Sequence, residues 1–154
     1  MKKILMIASL LLCASAASAG QIENIYADMD AKNMSGNINV LNYYSPDAVI
    51  ISTQGHSQNV NELRDLMMNV IRAGGKVDVS QSRIIGTREI RTGVMNNLMG
   101  VVVFSQDYGK FSHPDNKDAS KRVSTEMTAL TTRVFDVSNK QKWLIVSEHS
   151  SEIK

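Results

Sequence analysis

Apolar residues along this chain follow two periods, helical in the first half and alternating in the second. Between residues 21 and 35, Ile22, Ile25, Tyr26 and Met29 fall on one face, with Glu23, Asp28, Asp30 and Lys32 elsewhere. That spacing predicts an amphipathic helix, ended by Gly36. Asn37 can cap a second, short helix with Ile38, Leu41 and Tyr44 on one side. Ser45-Pro46-Asp47 reads as a turn, because proline presets φ and Ser and Asp bond to nearby backbone. The run from Ala48 to Ser52 is too short for a helix and rich in β-branched residues, so it predicts a buried strand. Asn59 and Glu62 have the spacing of a capping box. Val60, Leu63, Met67, Val70 and Ile71 then recur at helical spacing up to Gly74-Gly75, which supplies the C-cap.

From Lys76 onward the period is two. Val77, Val79 and Ile85 mark a strand broken at Gly86, and the stretch from Arg88 to Met95 continues it or forms another. Asn96-Asn97 is a turn signal. The stretch Leu98 to Phe104 predicts a strand with Gly100 as a bulge. Ser105 to Arg122 reads as a long polar connection at a hairpin tip. The stretch Val123 to Val137 alternates, with Met127, Ala129, Thr131, Arg133, Phe135 and Val137 on one face and Leu130, Thr132 and Val134 on the other. Ser138-Asn139-Lys140 turns the chain into a last strand, Trp143 to Ser151. Helices first and antiparallel strands last argue for an α+β fold. Apolar residues on both faces of the late strands predict a sheet that covers helices on one side and a partner on the other.

Composition changes this picture at the N-terminus. Lys2 and Lys3, the apolar run Ile4 to Cys13 and Ala17-Ser18-Ala19 form the three parts of a Sec signal peptide. The apolar run is too short to span a bilayer. Cys13 is not in a lipobox, since Leu12 precedes it where a small residue is wanted. The expected organisation is a cleaved signal peptide, 1–19, and one domain, 20–154, in the periplasm or secreted. The whole chain has 17 basic and 15 acidic residues. Loss of Lys2 and Lys3 leaves the two signs balanced, which removes the case for a nucleic-acid partner. No membrane association is expected after cleavage. Cys13 is the one cysteine, so the mature chain has no disulfide, thiol nucleophile or zinc-thiolate site.

Tyr43-Tyr44-Ser45-Pro46-Asp47-Ala48-Val49, then Gly55, the capped helix and the closing run from Lys142 to Ser151 resemble the NTF2-like superfamily. Within it the chain is most similar to the SnoaL-like or DUF4440-type small domains. The resemblance covers essentially the whole mature chain. It implies an α+β, NTF2-like cone-shaped barrel, in which N-terminal helices pack in a strongly curved, mostly antiparallel sheet and a pocket is enclosed. It also implies a homodimer through the outer sheet face. Members include isomerases, cyclases and dehydratases as well as binding and assembly modules. The catalytic Asp of the family's ketosteroid isomerases corresponds to Ser52, and their oxyanion tyrosine falls near Met29. An isomerase of that type needs a carboxylate base and an acidic hydroxyl donor. Neither stands at the expected place.

The three histidines, His56, His113 and His149, form no metal-binding pair, and no metal or cofactor is expected. There is no Gly-x-Ser-x-Gly elbow and no glycine-rich phosphate loop. The expected pocket wall is Tyr26, Tyr44, Met67 and Trp143, with Ser52 at the strand end and His149 as the polar group. An isolated hydroxyl such as that of Ser52 is a poor base. These readings favour a binding module for a small apolar ligand or a protein partner. The alternatives are an isomerase, cyclase or dehydratase acting on a carbonyl or polyketide-like substrate, and a dimeric assembly module with a filled pocket.

Overall fold

A computed structural model of the chain describes residues 19–93 and 96–153. The expected signal peptide lies, apart from Ala19, outside the described residues.

Helix α1 occupies residues 19–34. Ile22, Ile25, Tyr26 and Met29 are all buried, as their i, i+3, i+4, i+7 spacing requires. The helix ends in a Schellman turn, with Gly36 at φ 64°. The Gly36 N–H donates to the Asn33 carbonyl at 3.0 Å and the Asn37 N–H to that of Lys32 at 2.8 Å. The Asn37 side chain then accepts from the Asn39 N–H and caps a 3-10 helix, Ile38–Tyr43, which buries Val40 and Leu41.

Strand β1, Tyr44–Ile51, follows at once. Ser45-Pro46-Asp47 is therefore inside a strand, not a turn. It forms an irregularity in the ladder, where the pairing steps from Tyr44↔Ile145 to Val49↔Ser147. A residue without an N–H is tolerated where the ladder asks for no donor. A two-residue strand β2, Ser57–Gln58, pairs with the end of β1. Helix α2, Val60–Arg72, opens with the capping box: the Asn59 side chain accepts from the N–H groups of Asn61 and Glu62, and Glu62 accepts from the Asn59 N–H at 2.8 Å. Gly74 takes the left-handed C-cap at φ 76°. Gly75 serves closeness instead, since a Cβ there would lie 2.6 Å from Val70 Cγ1.

Four long strands complete the chain: β3 (Lys76–Thr92), β4 (Asn97–Pro114), β5 (Arg122–Asp136) and β6 (Leu144–Glu152). β3 is one strand, and Gly86 does not break it; the register slips by one residue at Ile85. The polar stretch after Ser105 is not a loop. β4 runs to Pro114, paired on both sides by β3 and β5, and the turn is confined to residues 115–121. Its polar residues belong in a strand because part of the interior they face is itself polar.

The sheet order is β2-β1-β6-β5-β4-β3. All pairs are antiparallel except β1 with β6. The sheet is mixed and not closed into a barrel, with β2 and β3 at its edges. Its inner face carries Ile50, Val101, Val103, Phe135 and Ile145, buried with the α1 stripe and Trp143.

Candidate functional site

The inner face of β5 reads Ala129, Thr131, Arg133, Phe135, all buried. Apolar residues at both ends make this a core strand, and the arginine enters with them. What it meets is set by β6. Plain alternation from Ile145 would send Ser147 and His149 inward. The register shifts instead, from Phe135↔Ile145 to Val134↔Ser147, so Val146 is an extra residue. Such a bulge exchanges the faces of everything beyond it. Glu148 therefore lies opposite Arg133 on the inner face, and Ser150 opposite Thr131, with 3.1 Å between their hydroxyls.

Around Arg133 the geometry is close. Its Nε donates to Glu148 Oε2 at 2.6 Å, its Nη2 to Asp107 Oδ2 at 2.9 Å and its Nη1 to Ser105 Oγ at 3.3 Å. The Tyr44 hydroxyl, from the start of β1, donates to the same Glu148 oxygen at 2.6 Å. From α1, the Tyr26 ring stacks on the guanidinium at 5.0 Å and tilts against Phe135. The Tyr26 hydroxyl lies beside Arg133 and Ser105 yet completes no hydrogen bond, and Asp107 Oδ1 is likewise buried without a partner.

Burial pulls the Arg133 guanidinium down, but the Glu148 carboxylate and the surrounding groups outweigh it and hold the charge. Burial pushes the Tyr44 phenol well up, and the Glu148 charge adds to it. Tyr26 is also raised by burial, against the pull of Arg133. Both phenols are therefore neutral donors at ordinary pH. Both carboxylates are committed to one guanidinium, and an ionised carboxylate only accepts hydrogen bonds. The cluster ties β1, β4, β5 and β6 together in the interior.

Of the expected wall, the structure brings Tyr26 and Tyr44 together around Arg133. It places the others elsewhere. His149 is exposed on the outer face, paired with Thr132, because of the Val146 bulge. Ser52 belongs to the β1–β2 turn, where its hydroxyl accepts from the His56 N–H at 3.2 Å. Trp143 is buried at the opposite end from α2, where it lines an open cavity of 540 Å³ with Gln21, Leu98 and Val137. Met67 is half-buried on α2 against the core. Met29, the position aligned with the family's tyrosine, is a core residue, and Tyr26, one turn earlier, is the inward-facing phenol. Ser105, Asp107, Arg133 and Glu148 were not anticipated. A charged residue in the middle of an alternating apolar face, at Arg133, was the available signal.

A second feature lies at α2. Its apolar stripe begins buried at Val60, is half-buried at Leu63 and Met67, and is exposed at Val70 (48%) and Ile71 (38%). Arg122 Nη2 donates to the Gly74 carbonyl at 2.9 Å, which ties the end of α2 to the start of β5. On the inner face of that arm Phe111 is 41% exposed, and Met127 takes a 3.9 Å contact from the Thr53 hydroxyl. Apolar groups are thus left exposed both on the helix and on the arm that this contact joins.

Among the described residues, no group of three or more His, Cys, Asp or Glu is placed to hold a metal ion, and no helix is long and apolar enough to cross a membrane. Neither a family model nor a curated protein matches the sequence. Solved structures do match the fold. A protein of Exiguobacterium sibiricum assigned as a calcium/calmodulin-dependent kinase II association domain superposes with a TM-score of 0.65 at 12% identity, over 90% of this chain and 95% of its own. A ketosteroid isomerase-like protein of Erwinia carotovora gives 0.62 at 16% identity, over 86% and 94%. A protein of Streptomyces avermitilis assigned as a dehydratase of the NTF2-like family gives 0.64 at 11%, over 90% and 99%. At these identities the likeness is one of architecture, and the fold of this chain is the NTF2-like fold.

Proposed function

We propose that the protein is an exported, non-catalytic binding module that takes a small apolar ligand between α2 and the β4–β5 arm. The observation that carries this reading is the α2 stripe, which leaves the core at Met67 and continues exposed through Val70 and Ile71. Exposed apolar residues of this kind are a surface that a ligand stabilises by covering. Met67 and Met127 give it adaptable walls. The Tyr26 hydroxyl and Asp107 Oδ1, unpaired further in, are the groups an oxygen-bearing ligand end would engage. Turnover is disfavoured because Glu148 and Asp107 are each ion-paired with Arg133, although neighbours of this fold carry isomerase-like and dehydratase names. Export rests on the leader, and protein recovered from the periplasm or medium should have a mass that begins at Gly20.

The test is titration of the mature protein with 1-anilinonaphthalene-8-sulfonate and displacement by a panel of apolar carbonyl compounds, with product analysis alongside. Saturable binding weakened by Met67→Ala and Phe111→Ala, with no product, supports the reading. Binding lost only on outer-face substitutions such as Leu130→Asp, or turnover of any panel member, overturns it.

A specific observation also favours self-association. On the outer face Phe104 is 40% and Leu130 48% exposed, with Val102 and Val134 half-buried next to Phe104 on the side away from Leu130. A second copy laid on this face would cover them, and the association-domain name of one neighbour fits such a role. Light scattering at tens of micromolar tests it: a dimer that Leu130→Asp converts to monomer supports the reading, and a wild-type monomer removes it.

A further inference from the structure

β3 is the edge of the sheet and runs for 17 residues with β4 as its one strand neighbour. An edge of this length presents a row of unpaired N–H and C=O groups. Among the described residues one of them, the Ser82 N–H, is taken from that side: it donates to Asp30 Oδ2 at 2.8 Å. Asp30 Oδ1 accepts from the Ser80 and Ser82 hydroxyls at 2.7 and 3.1 Å. The carboxylate thus stands in for a missing neighbour strand at that point and no further. α1 continues alongside the edge, from Asp30 next to Ser82 to Gln21, which shares a cavity with Arg91. Between helix and edge lies a cavity of 380 Å³, walled by Glu23, Tyr26 and Ala27 on one side and Gln81 and Ile84 on the other.

We propose that the β3 edge beyond Ile84, with this groove, is a docking site for an extended, lysine- or arginine-bearing segment of a partner protein, added to the sheet as a further strand. A strand laid on the edge gains main-chain hydrogen bonds, and alternate side chains turn toward the helix. The cavity is lined by Glu23 and Asp30 and by no basic side chain, and Arg91 further along the edge is paired with Glu89, so the site favours a cation. Tyr26, Ala27 and Ile84 offer apolar surface to the aliphatic stem beneath that cation. The edge is unsuited to a second copy of itself. In an antiparallel pairing centred on the Ile85–Gly86 bulge, Arg83 of one copy would oppose Arg88 of the other, and like charges directly opposite are destabilising.

The experiment uses the mature protein and two labelled peptides, one alternating lysine with valine and one alternating glutamate with valine. Fluorescence anisotropy should show saturable binding of the first and none of the second. Ala27→Arg, at an exposed position, and Glu23→Lys should each weaken the binding by about tenfold or more, with the circular dichroism spectrum unchanged. Hydrogen exchange should slow along residues 84–91 and stay the same in α2. Equal binding of both peptides, binding indifferent to Ala27→Arg, or protection elsewhere overturns the proposal. A protein dimer whose β3 amides are already protected, and lose that protection in Ala27→Arg, also overturns it, by making a second copy the occupant.

Discussion

Glu148 faces Arg133 across the β5–β6 ladder, with 2.6 Å between Oε2 and Nε, while its neighbour His149 points the other way. The pair is buried, with side chains 12% and 10% exposed. Removing one partner of a buried pair strands the other charge, at a cost of about 3–5 kcal/mol. Glu148→Gln should therefore lower unfolding stability by about that much in urea, and Arg133→Met should do likewise by leaving two carboxylates unpaired. The double variant Arg133→Met, Glu148→Gln should lose less than the two single losses together. Additive losses in that cycle would mean that the two side chains do not interact.

Alkaline pH should destabilise the fold through the buried phenols. Burial raises both Tyr26 and Tyr44 above their usual value. A group that holds its proton more tightly when folded contributes stability that is complete below the unfolded pKa, about 10 for tyrosine, and lost as pH rises through the folded one. Unfolding free energy measured in urea should thus fall above about pH 10. Tyr44→Phe should flatten that fall and lower stability at neutral pH by about 1.5–3 kcal/mol, the worth of a hydrogen bond to a charged group. A pH dependence unaltered by Tyr44→Phe would contradict this assignment.

The exposure gradient along α2 gives a graded mutational series. Asn59→Ala removes the capping oxygen and should cost about 1 kcal/mol. Leu63→Ala truncates a half-buried side chain and should cost about 1–2 kcal/mol, below the range for full burial. Val70→Ala, nearly half exposed, should stay within about 0.5 kcal/mol. A loss at Val70 as large as that at Leu63, read from denaturant midpoints, would mean that the stripe is covered.

Asp30→Ala should release the Ser82 amide. Native-state hydrogen exchange should show that N–H slow in the wild type and fast in the variant, with amides bonded to β4 little changed. Retained protection at Ser82 would show that another group caps the edge.

Most of this architecture is written in local patterns. The α1 stripe, the Asn59–Glu62 capping box, Gly36 and the β5 alternation each state their own geometry, because period and cap chemistry act over a few residues. The polar stretch of β4 did not, since a strand made of Ser, Gln, Asp and Tyr is held by neighbours on both sides, far away in sequence. The interior cluster was legible in half. Tyr26 and Tyr44 follow from their faces, whereas Glu148 depends on a one-residue bulge that no spacing announces. His149 was selected for the pocket from its place in the closing run Lys142 to Ser151, and the bulge turns it to the outer face.

The parallel pairing of β1 with β6 also sets the order in which the chain can be completed. Tyr44 and Glu148 are 104 residues apart, and β1 otherwise has only the two residues of β2 as a ladder partner. The β3–β4–β5 hairpins close over short turns and can form as the chain emerges. β1 must wait for β6, paired until then at no more than its last two residues. A chain lacking residues 144–152 is therefore unfinished across the middle of its sheet, and β6 acts as the clasp that joins β1 to β5.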